Sequence, residues 1–269
     1  MDKLEEWLAF ANRILMHTNR TQEISKAKSD EHQDVPDSYY ARWAVVDFIR
    51  VCLEENVNVP ISAREQLAKI LEMLCTQFDW HLDQEKANYS NQMDLPDKAI
   101  NNARGNALRE LVNFGLWLRR HDSKVETPEV TTILEKRLAP EAAHPLTLPE
   151  YAMLGLNFNQ IFYLNETWAT AHKSGLFPRT EFPKWLAAFN GYITYNRMYE
   201  PVFEVLRGDF EFALKKLDQF KKQHRHADHT IYLLGKHLFT LYLWEKYPLT
   251  GGDSLLEKYY KAMINDPEQ

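Results

Sequence analysis

Apolar residues recur at three- and four-residue steps along most of this chain, the spacing that lines one face of a helix. The longest such run is Asp97–Arg120, where Ile100, Ala103, Ala107, Leu108, Leu111, Phe114 and Leu118 keep that step. Leu4, Trp7, Leu8, Ala11 and Leu15 predict a helix over Lys3–His17. Ser38–Glu54 is apolar nearly all round, including Tyr40, Trp43, Val46, Ile49 and Val51, which predicts a helix buried between neighbours. Leu67, Ile70, Leu71, Leu74 and Phe78 form the next stripe, opened by Ser62-Ala-Arg-Glu65, a pattern fit for a capping box. Thr127-Pro128 predicts the start of another helix, with Val130, Ile133, Leu134 and Leu138 on its inner face.

Between these runs, Thr21–Asp37 and His81–Pro96 lack any period and read as irregular connections. Ala139–Pro149, with Pro140, Pro145 and Pro149, is the expected boundary between an N-terminal part, 1–144, and a C-terminal part, 145–269, packed as one continuous array. The C-terminal part is richer in aromatics. Thr147-Leu-Pro-Glu150 predicts a second capping box, followed by a helix or broken helix to Ser174. Thr180 is expected to cap Glu181–Tyr195, a short helix to span Pro201–Leu206, Asp209 to cap a helix carrying Phe210–Phe220, Asp228–Tyr247 to follow, and Asp253 to cap the last. The pattern therefore predicts an all-α protein of ten or eleven helices. Successive antiparallel hairpins would stack into a solenoid-like array of degenerate repeats.

Composition agrees with a folded helical protein: 269 residues, 45% hydrophobic and 26% charged, with only 9 glycines. A formal net charge of −6 gives no global support for nucleic-acid binding, and no apolar run is long enough to span a membrane. The N-terminal sequence lacks the apolar core of a signal peptide. With Cys52 and Cys75 as the only cysteines, reduced thiols packed in the core and a cytoplasmic setting are expected.

The first half of the longest run is unusual. Asn101, Asn102, Arg104, Gly105 and Asn106 stand where stronger helix formers would be expected. Gly105 would let a neighbouring backbone come close, with Arg104 and Asn101 satisfying carbonyls at that contact. The segment Ala99–Leu108 continuing to Leu116-Trp-Leu-Arg-Arg120 resembles the helical C-terminal regions of bacterial multidomain signal-transduction ATPases of the STAND class and related antiviral defence proteins. Tyr40–Phe48 is similar to the element upstream of that motif, and Phe182–Phe189, Pro201–Leu206, Leu234–Leu238 and Leu255–Tyr260 are similar to the part downstream. The family's nucleotide-binding loop has no counterpart here. The resemblance implies a sensor or protein-interaction region, whose partner would be a phage or host protein or the rest of a larger ATPase.

Other constellations compete with a scaffold role. His224-Arg-His226-Ala-Asp-His229 offers metal-ligand chemistry but reads as a polar linker. His121-Asp122, with His81 and Asp209 as further ligands, is the pattern an HD-type metal-dependent phosphohydrolase would need; that is the alternative enzyme reading. Lys215, Lys216, Lys221, Lys222 and Arg225 form a basic stretch that would meet phosphates in a nucleic-acid-binding module, or simply face solvent. Tyr195, Tyr199 and Tyr247 fall near helix ends and, with those lysines, are the candidate interaction surface. No catalytic, cofactor-binding or metal-binding residue is expected. The function expected is a non-enzymatic interaction or sensor module.

Overall fold

A computed structural model of the chain describes residues 3–20, 37–76, 95–101, 103–142, 144–223 and 227–264. Every regular element among these is helical. The fifteen α-helices among the described residues are α1 (Lys3–Arg20), α2 (Asp37–Cys52), α3 (Arg64–Thr76), α4 (Leu95–Ile100), α5 (Ala103–His121), α6 (Pro128–Leu138), α7 (Leu148–Leu156), α8 (Phe158–Leu164), α9 (Glu166–Ala171), α10 (Lys173–Leu176), α11 (Phe182–Tyr195), α12 (Glu200–Lys215), α13 (Leu217–Gln223), α14 (Ala227–Leu243) and α15 (Leu255–Ile264). No helix among the described residues is long and apolar enough to cross a membrane.

Several helix boundaries differ from the periodicity for local reasons. The run from Asp97 to Arg120 is two helices, because Asn101 lies in a turn between α4 and α5. Ser62 lies inside a short 3-10 turn, Ile61–Ala63, so the expected capping box at α3 does not form. The stretch after Thr147 is four helices. Asn157 turns its Nδ2 back to the Met153 carbonyl at 2.9 Å, Asn165 Oδ1 accepts from the Trp168 N–H at 3.0 Å, and the His172 ring bonds the Trp168 carbonyl. Each side chain competes with the helical ladder and starts a new axis. Conversely, Pro201–Leu206 and Phe210–Lys215 are one continuous helix, α12, with Asp209 inside it rather than at a cap, while Leu217 and Phe220 belong to a separate helix, α13. Glu181, not Thr180, is the N-cap of α11. At α15 it is Ser254, not Asp253, whose hydroxyl accepts from the Glu257 N–H, at 3.0 Å. The capping box at α7 is complete: Thr147 Oγ1 faces the Glu150 N–H at 3.4 Å and Glu150 Oε2 accepts from the Thr147 N–H at 2.9 Å.

The chain divides into two compact units, Met1–Tyr89 with Ala99–Leu146, and Ser90–Lys98 with Thr147–Gln269. The boundary expected after residue 144 therefore lies after Leu146, and a short segment before Ala99 belongs with the C-terminal unit. In the N-terminal unit, α3 and α2 pack on α5, and α1 on α2 and α3. Its core is mostly aliphatic, with Leu8, Leu15, Ile49, Leu67, Leu71 and Leu118 buried beside Phe114 and Trp117. Trp7 departs from its stripe and is exposed, as are Tyr40 and Val51 of α2, so α2 is not buried all round. In the C-terminal unit, α11 crosses α7 and meets α14, around a core that includes Phe158, Phe177, Trp185, Phe189, Tyr192, Phe203 and Phe210. These rings meet mostly edge to face, for example Phe158 on Phe177 at 5.0 Å and Phe189 on Phe210 at 5.3 Å between centroids, the arrangement their quadrupoles favour.

Candidate interaction surface and buried polar clusters

The asparagine-rich corner is built around the turn at Asn101. Gly105, two residues into α5, lies against Ala99, so close that a Cβ would overlap the Ala99 carbonyl. Asn106 Nδ2 donates to the Ile100 carbonyl at 2.9 Å, satisfying the end of α4. Arg104, 3% exposed, reaches across to the Pro145 carbonyl at 3.1 Å. Arg137 from α6 similarly holds the His144 carbonyl. Two buried arginines thus tie down the proline-rich connection into α7, offering several N–H donors where backbone lacks a helical ladder. Asn101 itself is exposed.

Two carboxylates are fully buried. Glu110, on α5, bonds Asn113 Nδ2 at 2.9 Å and Arg109 Nε at 3.1 Å. Burial pushes its carboxyl upward, against the pull of Asn113, Arg109 and Arg50. Asp209, on α12, accepts from four donors: Arg179 Nε at 2.7 Å, Arg179 Nη2 at 2.8 Å, Lys173 Nζ at 3.0 Å and the Trp185 indole N–H at 3.0 Å. The bidentate fork and the indole fill both oxygens. The Arg179 guanidinium is raised further above its ordinary value, first by this bond. Asp209 therefore clamps α10, α11 and α12 together, and its oxygens are already occupied.

A third feature is an open groove of about 900 Å³ between α3 and α6. Arg64 and Glu129 bridge it at one end, at 2.6 and 2.9 Å, and Lys136 pairs with Glu72 at the other. Burial raises the Glu129 carboxyl, but the bonds from Arg64, its own backbone N–H and the Arg64 charge together hold it below the usual range. Ala68 and Ile133 line the groove between these pairs.

The remaining candidates are scattered. His121 is exposed at the end of α5, its ring edge-on to Trp117 at 4.8 Å, and Asp122 accepts from the Lys124 N–H at 3.0 Å. His81, His224, Arg225 and His226 lie outside the described residues. Asp228 and His229 are exposed in the first turn of α14. Among the described residues, no group of three His, Cys, Asp or Glu side chains converges as a metal would require. Lys215 is exposed and Lys216 sits over the Phe212 ring at 5.7 Å; Lys221 and Lys222 belong to α13, with side chains outside the described residues. Tyr195 is exposed and its hydroxyl is 3.4 Å from Asp97. Tyr199 is exposed beside Phe162. Tyr247 is half-buried between the Phe203 ring, at 5.0 Å, and the Arg207 guanidinium, at 5.7 Å, so packing claims it. Cys52 and Cys75 are buried thiols, and burial pushes Cys52 up to about 11, which leaves it inert at neutral pH.

No family model, curated protein or solved structure matches the chain. The sequence pattern missed the outward apolar residues: Trp7, Phe10 and Met16 on α1, and Tyr232, Phe239 and Leu243 on α14, all more than 40% exposed. The periodicity puts Trp7 in the inner stripe of α1, whereas the others lie one or two residues out of step with a buried position.

Proposed function

We propose that this chain is a non-enzymatic protein-interaction or sensor module that serves a larger bacterial ATPase system of the kind used against phage. One observation carries the interaction reading: bulky apolar side chains stand outward on α1 and α14, while the buried polar groups are spent on internal joints. Large apolar side chains facing water are retained at a cost in solubility, and aromatic anchors are what protein interfaces use. The ATPase and antiviral setting rests on the resemblance of Ala99–Leu108 and its flanking segments alone.

The test is affinity capture with the purified chain from bacteria with and without phage challenge, followed by reconstitution with the purified captured protein. A partner held in fixed ratio, and released when Trp7 and Phe10 or Tyr232 and Leu243 are changed to Glu, supports the proposal. A metal-dependent phosphohydrolase activity abolished in His121→Ala overturns it in favour of the HD-type enzyme. Salt-sensitive binding of DNA or RNA, weakened by neutralising Lys215, Lys216, Lys221 and Lys222, overturns it in favour of a nucleic-acid binder.

A further inference from the structure

Helix α14 carries two seams. The inner one, Ile231, Leu234, Leu238 and Leu241, advances by three, four and three residues and is buried. The outer one, His229, Tyr232, Lys236, Phe239 and Leu243, advances by three, four, three and four, and every member is exposed. Tyr232 is 63%, Phe239 42% and Leu243 61% exposed. Alternating steps of three and four are the spacing by which one helix presents knobs to a second helix. The outer seam runs for about 21 Å along the helix at 1.5 Å per residue.

The charge on this seam selects its occupant. Lys236 stands at its middle, between the two aromatic rings, and His229 at its start. No ion pair to Lys236 exists among the described residues. A second copy laid parallel in register would set Lys236 against Lys236. Like charges facing one another at a seam disfavour that pairing. A helix with an acidic residue at its centre and apolar residues one turn to either side meets Tyr232, Phe239 and Leu243 with its apolar groups and Lys236 with its carboxylate. Resting on the interaction reading above, we infer that the outer face of α14 is a docking seam for an acidic amphipathic helix of a partner protein.

The probe is a pair of synthetic helical peptides with leucines at three-four spacing, one with Glu and one with Lys at the position facing Lys236. Trp244, exposed just past the end of the seam, gives a fluorescence readout. The Glu peptide is expected to bind the full chain more tightly than the Lys peptide, and Lys236→Glu to reverse the order, each preference about tenfold, the scale of exchanging a favourable for an unfavourable exposed charge contact. Leu243→Glu should abolish binding of both, with the helical circular dichroism and unfolding midpoint of wild type retained. Equal affinity for the two peptides, binding of neither, or a concentration-dependent dimer dissolved by Leu243→Glu overturns the inference. Capture of a partner that is unaffected by Lys236→Glu and Leu243→Glu also overturns it, and leaves the broader interaction reading intact on another surface.

Discussion

Gly191 of α11 lies directly against Ala152 of α7, with no room for a Cβ beside the Ala152 carbonyl. The contact is reciprocated one turn away, where Gly155 of α7 meets the backbone of Ala188. Ala152 and Gly155 on one helix, and Ala188 and Gly191 on the other, are three residues apart, so each small pair makes a notch for the opposite backbone. The close crossing also lets Asn196 Nδ2, at the end of α11, reach the Gly155 and Leu156 carbonyls at 3.1 and 2.9 Å, closing the end of α7.

This crossing makes a sharp prediction. Gly191→Ala and Gly155→Ala must push two backbones apart, and each should destabilise the protein by about 3 kcal/mol, the upper end of overpacking in a filled core. Gly252→Ala, where a Cβ meets only open space, should fall within about 0.5 kcal/mol of wild type. Urea midpoints of the three variants check this. Equal stability of Gly191→Ala and wild type would show that the helices can separate freely.

Asp209 supplies the second. Asp209→Ala removes the acceptor for Arg179, Lys173 and the Trp185 indole at once, and should lower stability by about 3 kcal/mol. The loss stays near the low end of that range because Lys173 and Arg179 reach water, at 23% and 36% side-chain exposure. Arg179→Lys keeps the charge but loses the fork, and should lose about 1 kcal/mol. Denaturant unfolding monitored at Trp185 separates the two.

His237 gives a pH dependence. Its Nε2 donates to the Ile193 carbonyl at 3.0 Å, capping the end of α11, and burial lowers the imidazole to about 4. The folded state thus resists a proton that the unfolded chain accepts near pH 6.5. The contribution is present above about pH 6.5 and is lost as pH falls towards 4, amounting to about 3 kcal/mol over that window. Glu110 acts oppositely, since its raised carboxyl favours folding below the ordinary carboxylate range and less as pH rises through its folded value. Unfolding midpoints at pH 7.5, 5.5 and 4.5 should fall steeply for wild type and less steeply for His237→Gln. A parallel fall in both would remove His237 as the cause.

Arg104 makes the fourth. Arg104→Ala withdraws a buried guanidinium from the Pro145 carbonyl and should cost about 2 kcal/mol, as for hydrogen bonds made by charged donors. It should also expose the connection into α7, so limited proteolysis near Pro145 should quicken. Unchanged cleavage with unchanged stability would show that the arginine holds nothing there.

How much of this was readable beforehand follows from the range of each interaction. The helical period, the Thr147–Glu150 cap and the inward stripes of α3, α5, α11 and α14 depend on residues within one or two turns, so the amino-acid order alone determined them. Helix ends were harder, because Asn157, Asn165 and His172 bend the ladder only if their side chains turn back on it. Asp209 has the pattern of a cap, yet its charged donors stand 30 and 36 residues away in the chain, and only folding brings them to it. Likewise the facing carbonyls of Gly155 and Gly191, on Ala188 and Ala152, lie more than 30 residues away along the chain, so local pattern does not mark these glycines. The sequence by itself decided that this chain would be helical and where most inner faces would lie. Tertiary structure alone decided which helices cross closely, which charges are buried, and which apolar face of α14 is left to water, because those outcomes depend on partners distant in sequence that local pattern cannot name.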